Sequence, residues 1–274
     1  YEIMKGYNTN ILTGIEDPRI PYYIYNQMTE DAEQNKDLEY RDGAFVSKYF
    51  GSQGANRGKN SQDQVSLFGI FPVGGRFDDG AGGKATASSG TGAVPYRLIT
   101  YNDILFYKAE LIQEGLVAGD ATAALEAAIN ESFNMIDQVV KGSGTTQVVP
   151  VLAGSAEATA YTKAVMSKFA SANAAKKLEY IMTEKWLANI GSWVDQYTDY
   201  RRTGYPKLFD PIAVGGTVRP PAGGNGGEDM PAVPVISNRK FPNSLPYILD
   251  EISLNKNAPA QKTDLSAEKV FWMP

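Results

Sequence analysis

Helical spacing of apolar residues is confined to the middle of this 274-residue chain. In the segment PYRLITYNDILFYKAELIQEG, Leu98, Tyr101, Leu105, Ala109 and Ile112 recur on one face, and Ile104, Phe106 and Leu111 widen it. The spacing predicts a helix over 98–115, closed by Gly115. Gly119 and Asp120 then make a stop and a new start, with Asp120 as N-cap. A second helix follows over 120–141, with Ala121, Ala124, Leu125, Ala128, Ile129, Ile136 and Val139 or Val140 on its apolar face. Its small residues let a neighbouring helix approach closely. After a Gly/Thr-containing connection at 142–149, three more helices are predicted over 155–173, 174–191 and 192–203.

The flanks lose this period. Residues 1–97 read as loop-rich, with a short extended segment around Ile20, Tyr22 and Ile24. Glycine and small polar residues dominate 50–62 and 72–95, as they do 214–234. Beyond Pro206 the chain reads as irregular, with turns at Pro242 and Pro246, a short helix after them, and an apolar end, KVFWMP, expected to dock. The predicted fold is therefore mostly α: a tetratricopeptide-like helical-repeat scaffold (an α-α superhelix) with long irregular loops and little β. Its first pair has a small residue late in one helix (Ala109), a Gly-Asp turn and an Ala-rich partner. Such a unit needs neighbours to bury its faces.

Composition narrows the chemistry. The net charge of −5 argues against nucleic acid as a partner. With no cysteine and no histidine, thiolate nucleophiles, disulfides, Cys- or His-ligated metals and imidazole bases are all excluded from this chain. No apolar run approaches the roughly 20 residues of a spanning helix, and no signal peptide is present. The start at Tyr1 reads as that of a processed or truncated piece of a longer chain.

The stretch WVDQYTDYRRTGYP (193–206) concentrates aromatic and charged residues. On a helix, Trp193, Tyr197 and Tyr200 form one stripe, while Asp199 and Arg202 are spaced to pair. Asp195 and Asp199 also share a face and could in principle act as acid and base. The favoured reading is structural: Asp199, Arg201 and Arg202 tie a helix end to its surroundings, Gly204 ends the helix and Pro206 blocks its return. RFDDGAGG (76–83) lacks the spacing of a calcium loop, and no glycine pattern fits a nucleotide site. The aromatics in loops (Tyr22, Tyr23, Tyr25, Tyr49, Phe50, Phe68, Phe71 and Phe77) either anchor those loops or stack on sugar rings.

Six stretches, in order along nearly the whole chain, resemble the SusD/RagB family. They are DPRIPYY before a Gly-rich segment; the helix ending in Ala109-Glu110; YIMTEKWLANIG with Glu184 and Lys185; DYRRTGYP with Arg201, Arg202, Thr203, Gly204 and Pro206; NRKFPNSLPYILDEISLN with Arg239, Pro242, Glu251 and Asn255; and KVFWMP. The likeness is to the branch carrying the D-P-R element. Phe241 stands where tyrosine is usual, residues 245–250 are extra, and the family's N-terminal part, with its lipid-bearing cysteine, is absent from this sequence.

The resemblance implies a non-catalytic, surface-exposed outer-membrane lipoprotein that captures a glycan for a SusC-like TonB-dependent transporter. It implies no cofactor, and contact with the membrane only through an N-terminal lipid anchor. The chain would be the C-terminal portion of a single SusD-like domain: a loop-rich segment (1–97), helical hairpins (98–203) and an irregular C-terminal segment (204–274). The expected ligand contacts are Tyr49, Phe50, Phe68, Phe71, Arg76 and Asp78. A pure protein-interaction scaffold and a carboxylate-based glycoside hydrolase are the alternatives.

Overall fold

Helix α2 (Tyr101–Gln113) begins where its capping chemistry begins. Thr100 Oγ1 accepts the Asp103 N–H, and the Asp103 carboxylate accepts the Thr100 N–H, a reciprocal capping box. Leu98 and Ile99 precede this cap in non-helical backbone. The helix therefore starts three residues later than the apolar spacing predicts, and it ends at Gln113, two residues ahead of the left-handed Gly115 (φ 71°). The expected stripe is also corrected: Leu98 is 77% exposed and Tyr101 65%. Further along the stripe Ala109 is buried and Leu105 and Ile112 pack against the core, as predicted, while Asn102, Asp103, Phe106 and Glu110 share the buried face. Asp103 and Glu110 can be buried because each is paired, Asp103 with Asn189 and Glu110 with Arg202.

The computed structural model describes residues 1–8, 10–25, 40–42, 45–47, 66–68, 93–145, 147–207, 217–218, 233–234 and 242–273. Asp120 caps helix α3 (Ala121–Gly142) by accepting the Thr122 N–H, as its position predicts. Ala124, Leu125, Ala128, Ile129, Phe133, Ile136 and Val139 form the buried face of α3, with α2 packed against it as a hairpin. Helices α4 (Ala156–Ser171) and α5 (Ala174–Ala188) start at Ser155 and Asn173, whose side chains accept N–H groups of the first turn. Both pack on α3, and α5 also packs on α2 and on helix α6 (Trp193–Thr203). Asp137 accepts the Leu152 and Ala153 N–H groups, each at 2.8 Å, and so holds the 143–155 connection against α3.

The N-terminal segment is loop-like but not superficial. Met4, Ile11, Leu12, Tyr22 and Tyr23 belong to the same core as Phe106, Ile129, Phe133, Val165, Phe169 and Ile181. Gly6 (φ 72°) turns the chain there, and a Cβ on it would lie 2.6 Å from the Ile15 nitrogen. The extended segment predicted around Ile20–Ile24 is instead one helical turn, α1 (Ile20–Tyr23), followed by strand β1 (Ile24–Tyr25). The Asp17 carboxylate accepts the Arg19 N–H just ahead of the turn, and Pro21 tolerates a first-turn position because its missing N–H has no helical partner.

Strand content is small among the described residues. β1 pairs antiparallel with β4 (Leu67–Phe68), β2 (Tyr40–Asp42) with β3 (Phe45–Ser47), and β5 (Thr217–Val218) with β6 (Val233–Pro234). The short helix expected after Pro246 is α7 (Leu249–Leu254). The apolar C-terminus docks through Trp272, whose ring lies 4.9 Å from the Arg201 guanidinium. Phe271 beside it is 99% exposed. The fold is mostly helical, as the sequence pattern predicts. No described helix is long and apolar enough to cross a membrane.

Candidate functional site

Asp17 and Arg19 of the D-P-R element are buried. Arg19 is fully buried between α1, α3, α4 and α5. Its Nε and Nη2 donate to the Asp17 carboxylate at 2.8 and 2.6 Å, and Nη2 also donates to Glu184 at 2.9 Å. Further bonds reach Ser132 Oγ and Tyr161 Oη, both at 3.1 Å. The guanidinium lies over the Phe133 and Tyr161 rings. Tyr161 in turn donates to Glu184 at 2.6 Å.

Burial raises the Glu184 pKa above the ordinary carboxylate value, against the pull of Arg19. Burial also raises Tyr161, so its hydroxyl keeps the proton it donates. Burial acts to discharge Arg19, but Asp17, Tyr161 and Glu184 outweigh it and hold the guanidinium charged. Every group in this cluster is satisfied by another and both side chains of the Arg19–Glu184 pair are closed to solvent. The arrangement clamps the N-terminal segment onto three helices. Sequence spacing did not single out Arg19 as a buried hub, because its partners other than Asp17 lie 113 to 165 positions away.

The 193–206 stretch makes a second clamp. Arg202 pairs with Glu110 on α2 and, at 2.9 Å, with Asp199 Oδ1. Asp199 Oδ2 pairs with Lys185 at 2.6 Å, and the Lys185 ammonium sits 3.7 Å from the centre of the Tyr107 ring. Both Asp199 oxygens are thereby held by cations, while Asp195 accepts a hydrogen bond from Ser192 at the helix start. Arg201 donates to the Asn243 carbonyl at 3.0 Å and lies between the Tyr197 and Trp272 rings. Tyr197 and Tyr200 stack, 6.4 Å apart. Gly204, at φ 74°, ends α6 in the left-handed region.

Of the loop aromatics, Tyr22 and Tyr23 are buried anchors. Tyr22 donates to the Pro150 carbonyl at 2.7 Å, and burial pushes the Tyr23 hydroxyl up to about 12. Phe68 is placed only by its backbone, in β4 opposite Ile24. Tyr49, Phe50, Phe71, Arg76 and Asp78 lie outside the described residues, as do Phe77 and the rest of the 76–83 segment.

Two clefts open beside the clamps. One, of about 780 Å³, runs between the 14–22 segment and the start of α4, past Pro18, Pro21, Leu152 and Ala164. The other, of about 570 Å³, lies between the segment 93–102 and α3. It is lined by Arg97, Tyr101 and Asn102 on one side and Glu131, Met135 and Gln138 on the other. Arg97 is itself anchored to the Ala188 and Ile190 carbonyls. Sequence reasoning missed both clefts, since each joins segments that carry no shared motif. Among the described residues no group of three or more acidic side chains is placed to hold a metal ion.

Several solved structures are similar to this chain. A homologue of SusD from Bacteroides fragilis is 18% identical, with a TM-score of 0.51, over 87% of this chain and 42% of that one. A chitin-binding protein matches at 16% identity and a TM-score of 0.49, over 88% of this chain and 42% of that one. A Bacteroidetes SusD-like protein matches at 22% identity and a TM-score of 0.41, over 58% of this chain and 26% of that one. The chain thus spans less than half the length of these solved structures. A search of curated proteins finds no match. The family described as SusD-like, starch-binding and associating with the outer membrane matches residues 4–221, most of the sequence, and the chain belongs to that family.

Proposed function

We propose that this chain is the C-terminal portion of a non-catalytic, surface-exposed lipoprotein that captures a glycan and hands it to a SusC-like TonB-dependent outer-membrane transporter. The observation that carries the reading is the family match over residues 4–221. The helical core fits the role. Two buried clamps, around Arg19 and around Asp199, tie the helices to one another. A preformed scaffold of this kind reduces the ordering cost of binding. Tyr49, Phe50, Phe68, Phe71, Arg76 and Asp78 are the proposed contacts: rings for the apolar faces of pyranoses, with the arginine and aspartate for hydroxyl groups.

Isothermal calorimetry against starch, plant, host and microbial oligosaccharides tests the reading. At least one class binds, and Ala substitution at Tyr49, Phe68 and Phe71 weakens it by about tenfold or more. Absence of binding to every class would favour a protein-interaction scaffold. Release of new reducing ends, abolished by mutating a single carboxylate, would overturn the non-catalytic assignment in favour of glycoside hydrolysis.

A further inference from the structure

Asn102 is a misfit in the core. It is 1% exposed, yet neither its carboxamide oxygen nor its nitrogen has a hydrogen-bond partner. A buried amide left unpaired costs the full desolvation of that group, and native proteins rarely retain one without a reason. Asn102 also lines the 570 Å³ cleft between the segment 93–102 and α3. That volume lies within the roughly 300–1,000 Å³ of small-molecule sites. Buried Met135 and Val139 supply an apolar wall, and the well-exposed Tyr101 ring stands beside them.

From this constellation we propose that the cleft is a sugar-binding subsite, in which the Asn102 carboxamide engages two adjacent hydroxyls of one pyranose residue. A carboxamide offers one acceptor and two donors on a planar edge. Neighbouring ring hydroxyls each donate and accept, so a vicinal pair matches that edge. The Tyr101 ring receives the C–H face of the sugar, and the Glu131 and Gln138 side chains reach its remaining hydroxyls. The lining carries one anion, Glu131, and one cation, Arg97, which favours a neutral ligand over a charged one. This subsite is separate from the proposed contacts of 49–78 and rests on the glycan-capture reading above.

The probes are maltohexaose, cellohexaose, xylohexaose and chitohexaose, titrated into the full chain and read by calorimetry and by ¹⁵N–¹H NMR of side-chain amides. The Asn102 signal pair is assigned by its loss in N102L. Three results are expected: one hexasaccharide binds, the Asn102 pair shifts on binding, and both N102L and the exposed-ring variant Y101A weaken affinity at least tenfold. N102L is expected to keep or raise Tm, since it removes an unpaired buried amide, and Y101A to leave it unchanged. Affinity that survives N102L and Y101A while the Tyr49, Phe68 and Phe71 variants abolish it overturns the cleft assignment and leaves glycan capture standing. Failure of all four sugars to bind, extended to the wider panel above, overturns both.

Discussion

Replacing Arg19 with methionine isolates the worth of the central clamp. The substitution keeps an unbranched stem between Phe133 and Tyr161 but removes the only cation that reaches both Asp17 and Glu184 among the described residues. Breaking a buried ion pair from one side costs about 3–5 kcal/mol, because the remaining charge is stranded away from water. Against a total stability of about 5–15 kcal/mol, that is a large share. With a urea slope of about 2 kcal/mol/M, a loss of about 4 kcal/mol lowers the unfolding midpoint by about 2 M.

The loss should depend on pH, with a definite sign. Glu184 already titrates above its unfolded value of 4.5 because it is buried, and Arg19 opposes that rise. Without Arg19 its folded pKa climbs further. A folded-state carboxyl that holds its proton to higher pH than the unfolded one makes stability fall as pH rises between the two values. R19M is therefore most destabilised at pH 8 and recovers part of its deficit at pH 5. Urea unfolding followed by far-ultraviolet circular dichroism at both pH values measures this. A deficit below about 1 kcal/mol, or an equal deficit at pH 5 and pH 8, would refute the stranded-charge argument. The triple variant D17N/R19M/E184Q removes all three charges together and should regain much of the loss.

Two further outcomes follow from the packing. Replacing Arg201 and Arg202 with alanine removes the contacts to Asn243, Trp272, Glu110 and Asp199. Arg202 is about one-third exposed, so its pairs contribute only about 1 kcal/mol after solvent screening. A combined loss of about 2 kcal/mol should lower Tm by roughly 4–8 °C while leaving glycan affinity of the folded protein unchanged; weakened binding without lost stability would place these arginines in the ligand site instead. Gly6→Ala should cost more than about 1–2 kcal/mol, the penalty of a left-handed backbone alone, since its Cβ also meets the Ile15 backbone at 2.6 Å. Thermal unfolding of G6A at wild-type Tm would contradict that.

Local signals reached far along the helices. The Asp120 cap, the Ala-rich face of α3, the stop at Gly204 and the short helix after Pro246 are each decided within a few residues, by spacing, capping and backbone freedom, and each was legible. The polar members of the α2 buried face were not, because Asp103 and Glu110 occupy positions that Asn189 and Arg202, far along the chain, make tolerable. Likewise, the segment around Ile20, Tyr22 and Ile24 reads as extended, whereas the structure has a helical turn there, just after the Asp17 carboxylate accepts the Arg19 N–H. The D-P-R and E-K motifs were visible as a family likeness, but their meeting as Arg19 with Glu184 was not. Periodicity reports which side of an element avoids water. Which charges neutralise one another, and which unpaired amide comes to line a cleft, is set by segments that approach only once the chain has folded.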